Sequence, residues 1–406
     1  MRPRVLWRMP WGMNEAAISA DAGTEQSKGF LVAGNRLTLL TEGPERLEAL
    51  IALIAGAQRS LRLLYYTYAS DHAGAAVRDA LLAALGRGVA VSIIIDGFGS
   101  HVDDAFFRPL EAGGAVLCRF IPRFGRRFLL RNHQKMVLAD DVRVLIGGFN
   151  VQDDYFLPST DPGGWRDLGL IMEGPGVRPL AGYFRALTRW ARRPRPPMRD
   201  LRRALGRWSQ SSGPVRWLLG GPTRRLNPWA RRIKDDLRAA SRLDMIAAYF
   251  IPNPAMLRRI GAVAKRGPAR VVTAAKSDNL STIAAARHTY HLLLKRGVEV
   301  YEFQPSKLHT KLIIVDDIVY IGSANFDMRS LYVNLEVMLR IEDRAFADHL
   351  RAYVDGECAQ SEQVTEDAHR RAGGWLSRLR WGLAYYLLAV VDVRLTRRLN
   401  FGVGQD

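Results

Sequence analysis

The feature that most constrains the fold of this chain is an internal repeat. The segment NHQKMVLADDVRVLIGGFN, Asn132 to Asn150, is matched by LHTKLIIVDDIVYIGSAN, Leu308 to Asn325. Both segments read His-x-Lys-x-x-x-x-Asp, and both end in Gly, a small residue, any residue and Asn. One His-x-Lys pair on a strand would carry little weight, but two copies with the same continuation are poorly explained by chance.

The elements that precede the two motifs occur in the same order. Helical periodicity at 46–57 and at 230–240 leads each time into a strand-like run, then a helix, a Gly-bounded strand and a shorter strand. The predicted strands are Ser60–Tyr68, Gly86–Asp96 and Ala115–Phe120 in the first half, and Leu243–Phe250, Lys265–Ala275 and Val298–Phe303 in the second. This alternation predicts two similar α/β domains.

The domain organisation follows from the repeat and from composition. An Arg- and Pro-rich run, Trp190 to Trp208, separates the halves and is typical of a connection between domains. We predict an N-terminal segment 1–35, a first domain 36–200, a linker 201–224, a second domain 225–360 and a basic amphipathic C-terminal segment 361–406.

Strand geometry predicts which side chains of each motif lie together. Side chains two residues apart project from the same face, so His133 neighbours Lys135 and His309 neighbours Lys311. On the strand that returns from the second motif, Ser323 and Asn325 share a face, and a hairpin would place that face beside the histidine and lysine.

The motif aspartates have the opposite parity and fall at the turn of each hairpin. By parity, Asp140 and Asp316 should therefore brace the fold and not touch a substrate. Six residues separate Asp140 from Gly147, but five separate Asp316 from Gly322. Because a one-residue slip within a strand would turn the polar set to the wrong face, we place this difference in the turn.

Two histidines and two lysines in one place suit chemistry on a phosphodiester. Two ammonium groups and amide donors can stabilise the charge of a five-coordinate transition state. One neutral imidazole can attack phosphorus to form a covalent phosphohistidine. The other imidazole, when protonated, can give its proton to the leaving alkoxide.

A nucleophilic imidazole needs a partner on its far nitrogen to fix the tautomer. Acidic candidates in strand-like runs follow each hairpin, Asp167 in the first half and Glu336 in the second. An ordinary strand carboxylate is the alternative interpretation for either residue.

The net charge of the chain indicates an anionic partner. There are 59 Lys and Arg residues against 40 Asp and Glu, a formal net charge of +19, which suits nucleic acid or an anionic membrane surface. Arg123, Arg126 and Arg127, interleaved with two phenylalanines before the first motif, are predicted to face lipid headgroups, with a solvated loop as the alternative.

No stretch reaches the roughly 20 apolar residues that a spanning helix needs. The run WGLAYYLLAVV, Trp381 to Val391, is bracketed by arginines and has the composition of a helix lying in a bilayer interface. A C-terminal helix packed on a domain is an equally good interpretation.

The paired motifs resemble those of the phospholipase D superfamily, and within it the chain resembles the bacterial cardiolipin synthases. The likeness extends from about Arg36 to Glu357 and includes AYFIPN, LLLKRGVEVYEFQPSKLHTK and IGSANFDMRSLYVNLEV. The resemblance implies a pseudo-twofold pair of α/β sandwich domains with one shared active site, and it implies no metal and no cofactor.

The resemblance also implies roles for individual residues. The residues that match the family's catalytic positions are His133, Lys135, Asp140, His309, Lys311 and Asp316. Those that match its substrate-binding positions are Asn150, Ser323 and Asn325, and those that match its histidine-orienting carboxylates are Asp167 and Glu336. Gly148 stands in the first copy where the family has a serine.

In much of the superfamily the N-terminal histidine attacks phosphorus. The resemblance therefore implies His133 as nucleophile and His309 as general acid and base, although the sequence itself does not rank them.

The activity implied is transfer of a phosphatidyl group from one phospholipid, phosphatidylglycerol by expectation, to the hydroxyl of a second, with release of glycerol. The expected partners are anionic phospholipids and a membrane surface, with no nucleic acid. The best-known cardiolipin synthases carry two N-terminal membrane spans that this sequence lacks, so we expect a peripheral protein at the cytoplasmic face. A phospholipase D-type hydrolase, a nuclease and a non-enzymatic anionic-lipid binder remain alternatives.

Overall fold

Two sheets of eight strands each form the framework of the molecule. The structure is a computed structural model, and it describes residues 29–120, 129–223 and 226–392. The predicted fold class, two similar α/β domains, is confirmed.

In residues 29–120 and 129–208, the first half contributes nine strands and the helices that cover them. Its strands are β1 (Phe30–Val32), β2 (Asn35–Leu40), β3 (Ser60–Tyr65), β4 (Ala90–Asp96), β5 (Val116–Phe120), β6 (Met136–Ala139), β7 (Arg143–Gly147), β8 (Trp165–Arg166) and β9 (Gly169–Glu173). Its helices are α1 (Gly43–Ala55), α2 (His72–Gly86), α3 (Asp104–Ala112), α4 (Arg178–Ala191) and α5 (Met198–Trp208), with short 3₁₀ turns at Asp153–Tyr155 and Pro175–Val177.

The second half repeats this order of elements. Its strands are β10 (Val215–Gly220), β11 (Leu243–Ala247), β12 (Phe250–Ile251), β13 (Ala269–Ala274), β14 (Glu299–Phe303), β15 (Lys307–Leu308), β16 (Lys311–Val315), β17 (Ile318–Gly322), β18 (Phe326–Asp327), β19 (Glu336–Glu342) and β20 (Ser361–Val364). Its helices are α6 (Pro228–Ala239), α7 (Pro254–Ala264), α8 (Leu280–Leu294), α9 (Met328–Tyr332), α10 (Arg344–Ala359), α11 (Glu366–Ala372) and α12 (Trp375–Tyr386), which continues as a π-helical turn at Leu387–Val391.

The strand orders of the two sheets correspond. The first sheet runs β1-β2-β9-β7-β6-β3-β4-β5, and the second runs β10-β19-β17-β16-β11-β13-β14-β20. Seven strands of the first sheet therefore correspond to seven of the second, from the pair β2 and β10 at one end to the pair β5 and β14 at the other. The remaining strands, β1 in the first sheet and β20 in the second, lie at opposite edges. In both sheets the motif hairpin lies near the middle, where strands such as β4 (AVSIIID) and β16 (KLIIV) are rich in β-branched residues and largely buried.

The motif hairpins keep the same register, and their difference in length falls in the turn. In the first hairpin Ala139 pairs with Arg143 across three turn residues, whereas in the second Val315 pairs with Ile318 across two. The turn residues Asp140, Asp141 and Asp316 have φ values of 55°, 63° and 48°, a left-handed conformation that aspartate tolerates better than most residues. The predicted position of the one-residue difference is confirmed.

The sheets and helices form layers around three cores. A central core joins apolar side chains from one face of both sheets with those of α4, α5 and α10. One outer core lies between the first sheet and α1, α2 and α3, and another lies between the second sheet and α6, α7 and α8. The central core ties the two halves together, so their facing edges are held in fixed positions.

The observed domain boundaries differ from the predicted ones. Residues 201–224 do not form a linker, because β10 pairs along its whole length with β19 and so belongs to the second sheet. Likewise β1, predicted in the N-terminal segment, pairs with β2, and β20, predicted in the C-terminal segment, pairs with β14. In each case the strand is an edge strand whose short sequence carries little signal without its pairing partner.

In the described part of the chain, no helix combines the length and the apolar character that crossing a membrane would require. The predicted headgroup-facing loop with Arg123, Arg126 and Arg127 lies outside the described residues. The Trp381–Val391 run lies on α12 and the turn that follows it.

Candidate active site

Both motifs open onto one cleft between the two halves, with a volume of about 630 Å³. The cleft is lined by residues of both halves, among them the two motif histidines, His133 and His309, and the two motif asparagines, Asn150 and Asn325. The structure therefore brings the two predicted sets of residues to a single site.

Each histidine pairs with a carboxylate from the other half of the chain. The Nδ1 atom of His133 lies 3.0 Å and 3.1 Å from the two carboxylate oxygens of Glu336. The Nδ1 atom of His309 lies 2.6 Å from Oδ2 of Asp167. Both carboxylates are fully buried. A partner at Nδ1 fixes the tautomer and leaves Nε2 of each imidazole for chemistry.

Main-chain contacts explain how the pairs become crossed. The backbone N–H of His309 donates to the carbonyl of Arg166 at 2.7 Å, and the N–H of His133 donates to the carbonyl of Leu335 at 3.0 Å. In each half the accepting residue immediately precedes the carboxylate residue. Short parallel pairings, β8 with β15 and the bridge Asn132–Leu335, hold these segments side by side across the boundary between the halves.

The motif lysines lie buried beside the histidines. The Nζ atom of Lys135 donates to the carbonyl of His133 at 2.8 Å, and that of Lys311 donates to the carbonyl of His309 at 2.5 Å. Burial lowers the pKa of Lys311 to about 8 and lowers that of Lys135 well below its usual range. Asp167 and Glu336 act to raise both pKa values, and an anion bound in the cleft would stabilise the protonated lysines further.

The same environment disfavours the protonated form of both imidazoles when no substrate is bound. Burial, and next Lys311, lowers the pKa of His309 to about 3, although Asp167 acts in the opposite direction. Burial, Lys135 and Lys311 lower the pKa of His133 well below its usual value. Both imidazoles are therefore uncharged near pH 7 before a substrate binds, which differs from the expectation of one protonated histidine.

Two hydroxyl groups surround the carboxylate that faces His133. Ser330 Oγ donates to Glu336 Oε1 at 2.8 Å, and Ser323 Oγ donates to Oε2. Burial raises the pKa of Glu336 to about 8, while Lys135 and the two hydroxyl groups act to lower it. Ser323, predicted to contact the substrate, donates its hydroxyl to Glu336 behind the histidine and is not among the residues that line the cleft.

The carboxylate that faces His309 has different surroundings. Asp167 Oδ1 accepts from the backbone N–H of Leu168 at 2.7 Å, and Arg46 donates to the carbonyl of Asp167 at 2.7 Å. Burial acts to raise the pKa of Asp167, but His309, Lys311 and Arg46 outweigh it, so the pKa is lowered. A Cβ atom on Gly148 would lie 2.5 Å from Asp167 Oδ1, which explains why the first motif has glycine where the second has serine.

The motif asparagines also differ between the halves. Both polar atoms of the Asn150 side chain have a partner within the protein, because its Oδ1 accepts from the N–H of Thr67 at 3.1 Å and its Nδ2 donates to the Tyr155 hydroxyl at 3.0 Å. In the described part of the chain, Asn325 Oδ1 has no hydrogen-bond partner, although the residue is buried and lines the cleft. Among the described cleft residues, Asn325 and Asn334 each have a side-chain oxygen without a hydrogen-bond partner.

The motif aspartates do not reach the cleft and lie outside the reacting set. Asp140 accepts from the backbone N–H groups of Gln58, Arg59 and Ser60 at 2.7–2.9 Å. Asp316 accepts in the same way from Ser241 and Arg242. These contacts tie each hairpin turn to the start of the neighbouring strand, as the parity of the sequence predicts.

A second pair of cations was missed at the sequence level. Arg131 and Lys307 both line the cleft, and each precedes a motif histidine by two residues, on the same face of the extended chain. Arg131 lies over the ring of Phe98, with 3.9 Å from its guanidinium carbon to the ring centroid, and Lys307 lies 5.3 Å from the ring centroid of Trp165. A basic residue at the same offset in both motifs was the signal that could have revealed them.

Aromatic rings hold the imidazoles in place. Tyr66 meets His133 edge to face with 5.1 Å between ring centroids, and Tyr155 and Trp165 meet His309 at 5.1 Å and 5.2 Å.

Within residues 29–120, 129–223 and 226–392, no group of three or more His, Cys, Asp or Glu side chains has the arrangement of a metal site.

Comparisons with known proteins agree with this geometry. A family model described as "Cardiolipin synthase, PLD-like domain" matches residues 50–165 and 233–357. Cardiolipin synthase A of Pseudomonas entomophila (strain L48) is 31% identical over 353 residues, which is 84% of this chain and 72% of that protein. Cardiolipin synthase A of Klebsiella pneumoniae (strain 342) is 31% identical over 367 residues, or 86% of this chain and 73% of that protein.

A solved structure shares the fold. The crystal structure of phosphatidylserine synthase from Haemophilus influenzae Rd KW20 superimposes with a TM-score of 0.65 at 14% sequence identity, covering 89% of this chain and 95% of that one. At this identity the match shows the architecture alone.

A duplicated α/β fold with one histidine from each half at a shared cleft defines the class. The chain belongs to the phospholipase D superfamily, in its cardiolipin synthase branch. By that membership it is an enzyme of the phosphatidyltransferase type, and the resemblance seen in the sequence is confirmed.

Proposed function

We propose that this enzyme makes cardiolipin by moving a phosphatidyl group from one phosphatidylglycerol to a second through a phosphohistidine. The observation that carries the proposal is the crossed pair of histidine–carboxylate contacts at one cleft, His133 with Glu336 and His309 with Asp167. The names of the related proteins, cardiolipin synthase A, support the choice of substrate and product.

The first step is displacement at phosphorus. Nε2 of His133 attacks, a nitrogen–phosphorus bond forms, and the bond between phosphorus and the glycerol oxygen breaks. The leaving alkoxide takes a proton from His309, so glycerol departs as a neutral alcohol. We assign the attack to His133 by the family resemblance, and the different partners of the two histidines are consistent with unequal roles.

The proton for this step must come with the substrate. In the free site the pKa of His309 is lowered to about 3, first by burial and then by Lys311. A phosphodiester anion between the two motif lysines opposes that cation and raises the pKa of the nearby imidazoles. Binding of the anionic lipid therefore favours uptake of the proton that His309 later gives to the leaving group.

The second step reverses the roles of acid and base. His309, now neutral, accepts a proton from the terminal hydroxyl of the second phosphatidylglycerol. The resulting oxygen nucleophile attacks phosphorus, the nitrogen–phosphorus bond breaks, and His133 is restored. Atoms and charge balance with two phosphatidylglycerol molecules entering and cardiolipin and glycerol leaving, so the reaction needs no nucleotide.

Charge at phosphorus is stabilised by groups that are already in place. Lys135 and Lys311 supply positive charge when an anion is bound between them, and the Nδ2 amide of Asn325, a residue that lines the cleft, is placed to donate to a phosphoryl oxygen. Preorganised groups of this kind cost no reorganisation during the reaction and contribute the larger share of many rate enhancements. Arg131 and Lys307, which also line the cleft, are placed to receive the headgroup of an anionic lipid.

We place the enzyme at the cytoplasmic face of the membrane as a peripheral protein, since both proposed substrates are membrane lipids. The net charge of +19 supports an anionic surface.

The test is product analysis with defined lipids. Wild-type protein incubated with phosphatidylglycerol should form cardiolipin and glycerol in equal amounts, and His133→Ala should form neither. Phosphatidic acid without cardiolipin would identify a hydrolase. Inactivity on lipids together with cleavage of DNA that His133→Ala abolishes would identify a nuclease.

A further inference from the structure

The C-terminal helix presents two opposite faces with different surroundings. On one face Trp381 and Ala389 are buried, Tyr385 donates to the carbonyl of Pro252 at 2.7 Å, and Trp381 stacks on His369 with 5.1 Å between ring centroids. This face packs α12 firmly against the second domain, where its main neighbour is α8.

The opposite face is apolar and exposed to solvent. We call it the apolar stripe, and it consists of Trp375, Leu376, Leu379, Leu383, Tyr386 and Leu387. Trp375 is 75% exposed, Leu379 is 62% exposed and Leu383 is 56% exposed. Residues at these spacings share one side of a helix, so the stripe is continuous over about 18 Å.

A stripe of large apolar side chains this exposed indicates a binding surface. Soluble proteins seldom leave several leucines and a tryptophan in contact on one helix face, because each side chain gains free energy when it is removed from water.

The charges around the stripe identify the occupant. From Trp375 to Val391 the helix carries Arg378 and Arg380 and no acidic residue, and Arg371 is exposed just before it. An apolar face flanked by arginines matches the boundary between the acyl chains and the headgroups of an anionic bilayer.

The helix is also a wall of the active-site cleft. Leu388 and Asp392, at its C-terminal end, line the same cleft as both motif histidines. Asp392 is joined to the cleft residue Arg329 by an ion pair at 2.8 Å, which fixes the end of the helix against the cleft. A surface that bound the stripe would therefore lie close to the cleft that a lipid headgroup must enter.

We propose that the apolar stripe lies in the surface of an anionic lipid bilayer and holds the mouth of the catalytic cleft against it. Trp375, Leu379 and Leu383 enter the region between headgroups and acyl chains, while the buried face keeps α12 attached to the second domain. The helix lies parallel to the surface, as its fixed packing on the second domain requires. This inference rests on the proposed function for its choice of a lipid surface.

The test combines vesicle binding with two forms of the substrate. Leu379→Glu places a charge in the stripe, and Leu31→Glu is the matched control, because Leu31 is a leucine 75% exposed on the edge strand β1. Binding to vesicles of phosphatidylglycerol and phosphatidylcholine is measured by co-sedimentation. Activity is measured on those vesicles and on short-chain phosphatidylglycerol below its critical micelle concentration.

We expect Leu379→Glu to weaken vesicle binding by about tenfold or more, since burial of one leucine is worth at least about tenfold in a binding constant. Activity on vesicles should fall in parallel, and activity on the monomeric lipid should match that of wild type. Leu31→Glu should match wild type in all three measurements.

The outcomes separate this inference from the proposed function. If Leu379→Glu binds vesicles as wild type does, the inference is overturned whatever the activity of the enzyme. If the variant loses a dimer seen by size-exclusion chromatography and keeps its vesicle binding, the stripe is an interface between copies. If wild type binds vesicles through the stripe but makes no cardiolipin from either lipid form, the docking surface stands and the proposed function fails.

Discussion

Gly148 and Ser323 occupy equivalent positions in the two motifs, and they define how the two histidines differ. The Ser323 hydroxyl donates to Glu336, whereas the space beside Gly148 is taken by the carboxylate of Asp167 itself. Glu336, the longer acid, thus lies beside a residue with a hydroxyl group, and Asp167, the shorter acid, lies beside a glycine. The two halves therefore differ at two residues together, the acid and the residue beside it.

The first prediction tests this close approach. Gly148→Ala should lower kcat by about 10- to 100-fold, the usual effect of disturbing the partner that orients an imidazole, because the new Cβ would displace Asp167 from His309. The measurement is steady-state turnover of phosphatidylglycerol, with thermal unfolding to show that the variant is folded.

Gly206→Ala is the matched control for that experiment. Gly206 lies in α5, where an added Cβ would meet nothing within 4 Å, so kcat should be unchanged. A Gly148→Ala variant with wild-type turnover would show that the contact with Asp167 is not needed to orient His309.

At the scale of elements, the motif hairpins depend on the aspartates at their turns. Asp140 receives three backbone N–H groups from 58–60 and so joins the end of β6 to the start of β3. Burial acts to raise the pKa of Asp140, but these three hydrogen bonds outweigh it, so the pKa lies below the ordinary value of 3.8.

The second prediction concerns stability and its pH dependence. Asp140→Asn should lower the free energy of unfolding by about 2–4 kcal/mol at pH 7, because charge-assisted hydrogen bonds are lost. A lowered pKa in the folded state means that the ionised group stabilises the fold at pH values above 3.8 and that this contribution disappears as the pH falls through the folded-state pKa. The deficit of the variant should therefore shrink as the pH falls below 3.8.

Urea unfolding at a series of pH values measures this effect. Asp79→Asn is the control, because Asp79 is an exposed aspartate on α2, and its substitution should change stability little at any pH. A deficit for Asp140→Asn that stays constant down to pH 2 would contradict the assigned role of the carboxylate.

Much of the arrangement of helices, strands and turns could be predicted from the sequence. The repeat, the order of elements and the turn position followed from periodicity and parity, since a strand fixes which side chains share a face. Parity placed Asp140 and Asp316 away from the cleft, where the structure has them. Parity does not tell which chain segment covers a given face of a strand. For that reason the sequence predicts a linker where β10 lies and a substrate contact for Ser323.

The crossed partners of the histidines could not be derived from spacing along the chain. Asp167 follows the first motif, yet it contacts His309 of the second, 142 positions away. That contact depends on β8 meeting β15 across the boundary between the halves, through two residue pairs only. Pairings this short leave no periodic signal in a sequence.

For the whole molecule, the crossing means that each half supplies one histidine and the carboxylate that contacts the histidine of the other half. The third prediction uses a donor whose leaving group, p-nitrophenol, needs no proton. With this donor Glu336→Gln should slow the burst of nitrophenol by about 10²–10⁴-fold, because it removes the partner of the attacking His133. Asp167→Asn should leave the burst intact and slow transfer to the acceptor.

The measurement is rapid-quench detection of nitrophenol and of lipid phosphorus bound to protein. The Asp167→Asn variant should accumulate the phosphohistidine, and His309→Ala should do the same. The reverse pattern, with the burst lost in Asp167→Asn and kept in Glu336→Gln, would assign the nucleophile to His309.

The crossed carboxylates also have a consequence for the newly synthesised chain, because each histidine contacts a carboxylate from the other half. During synthesis the N-terminal half leaves the ribosome first and can fold while the rest is being made. At that stage His133 has neither Glu336 nor the two serine hydroxyls behind it, because all three belong to residues 323–336. The proposed nucleophile therefore gains its orienting partners only after residue 336 has been made, so we expect the N-terminal half alone to be inactive.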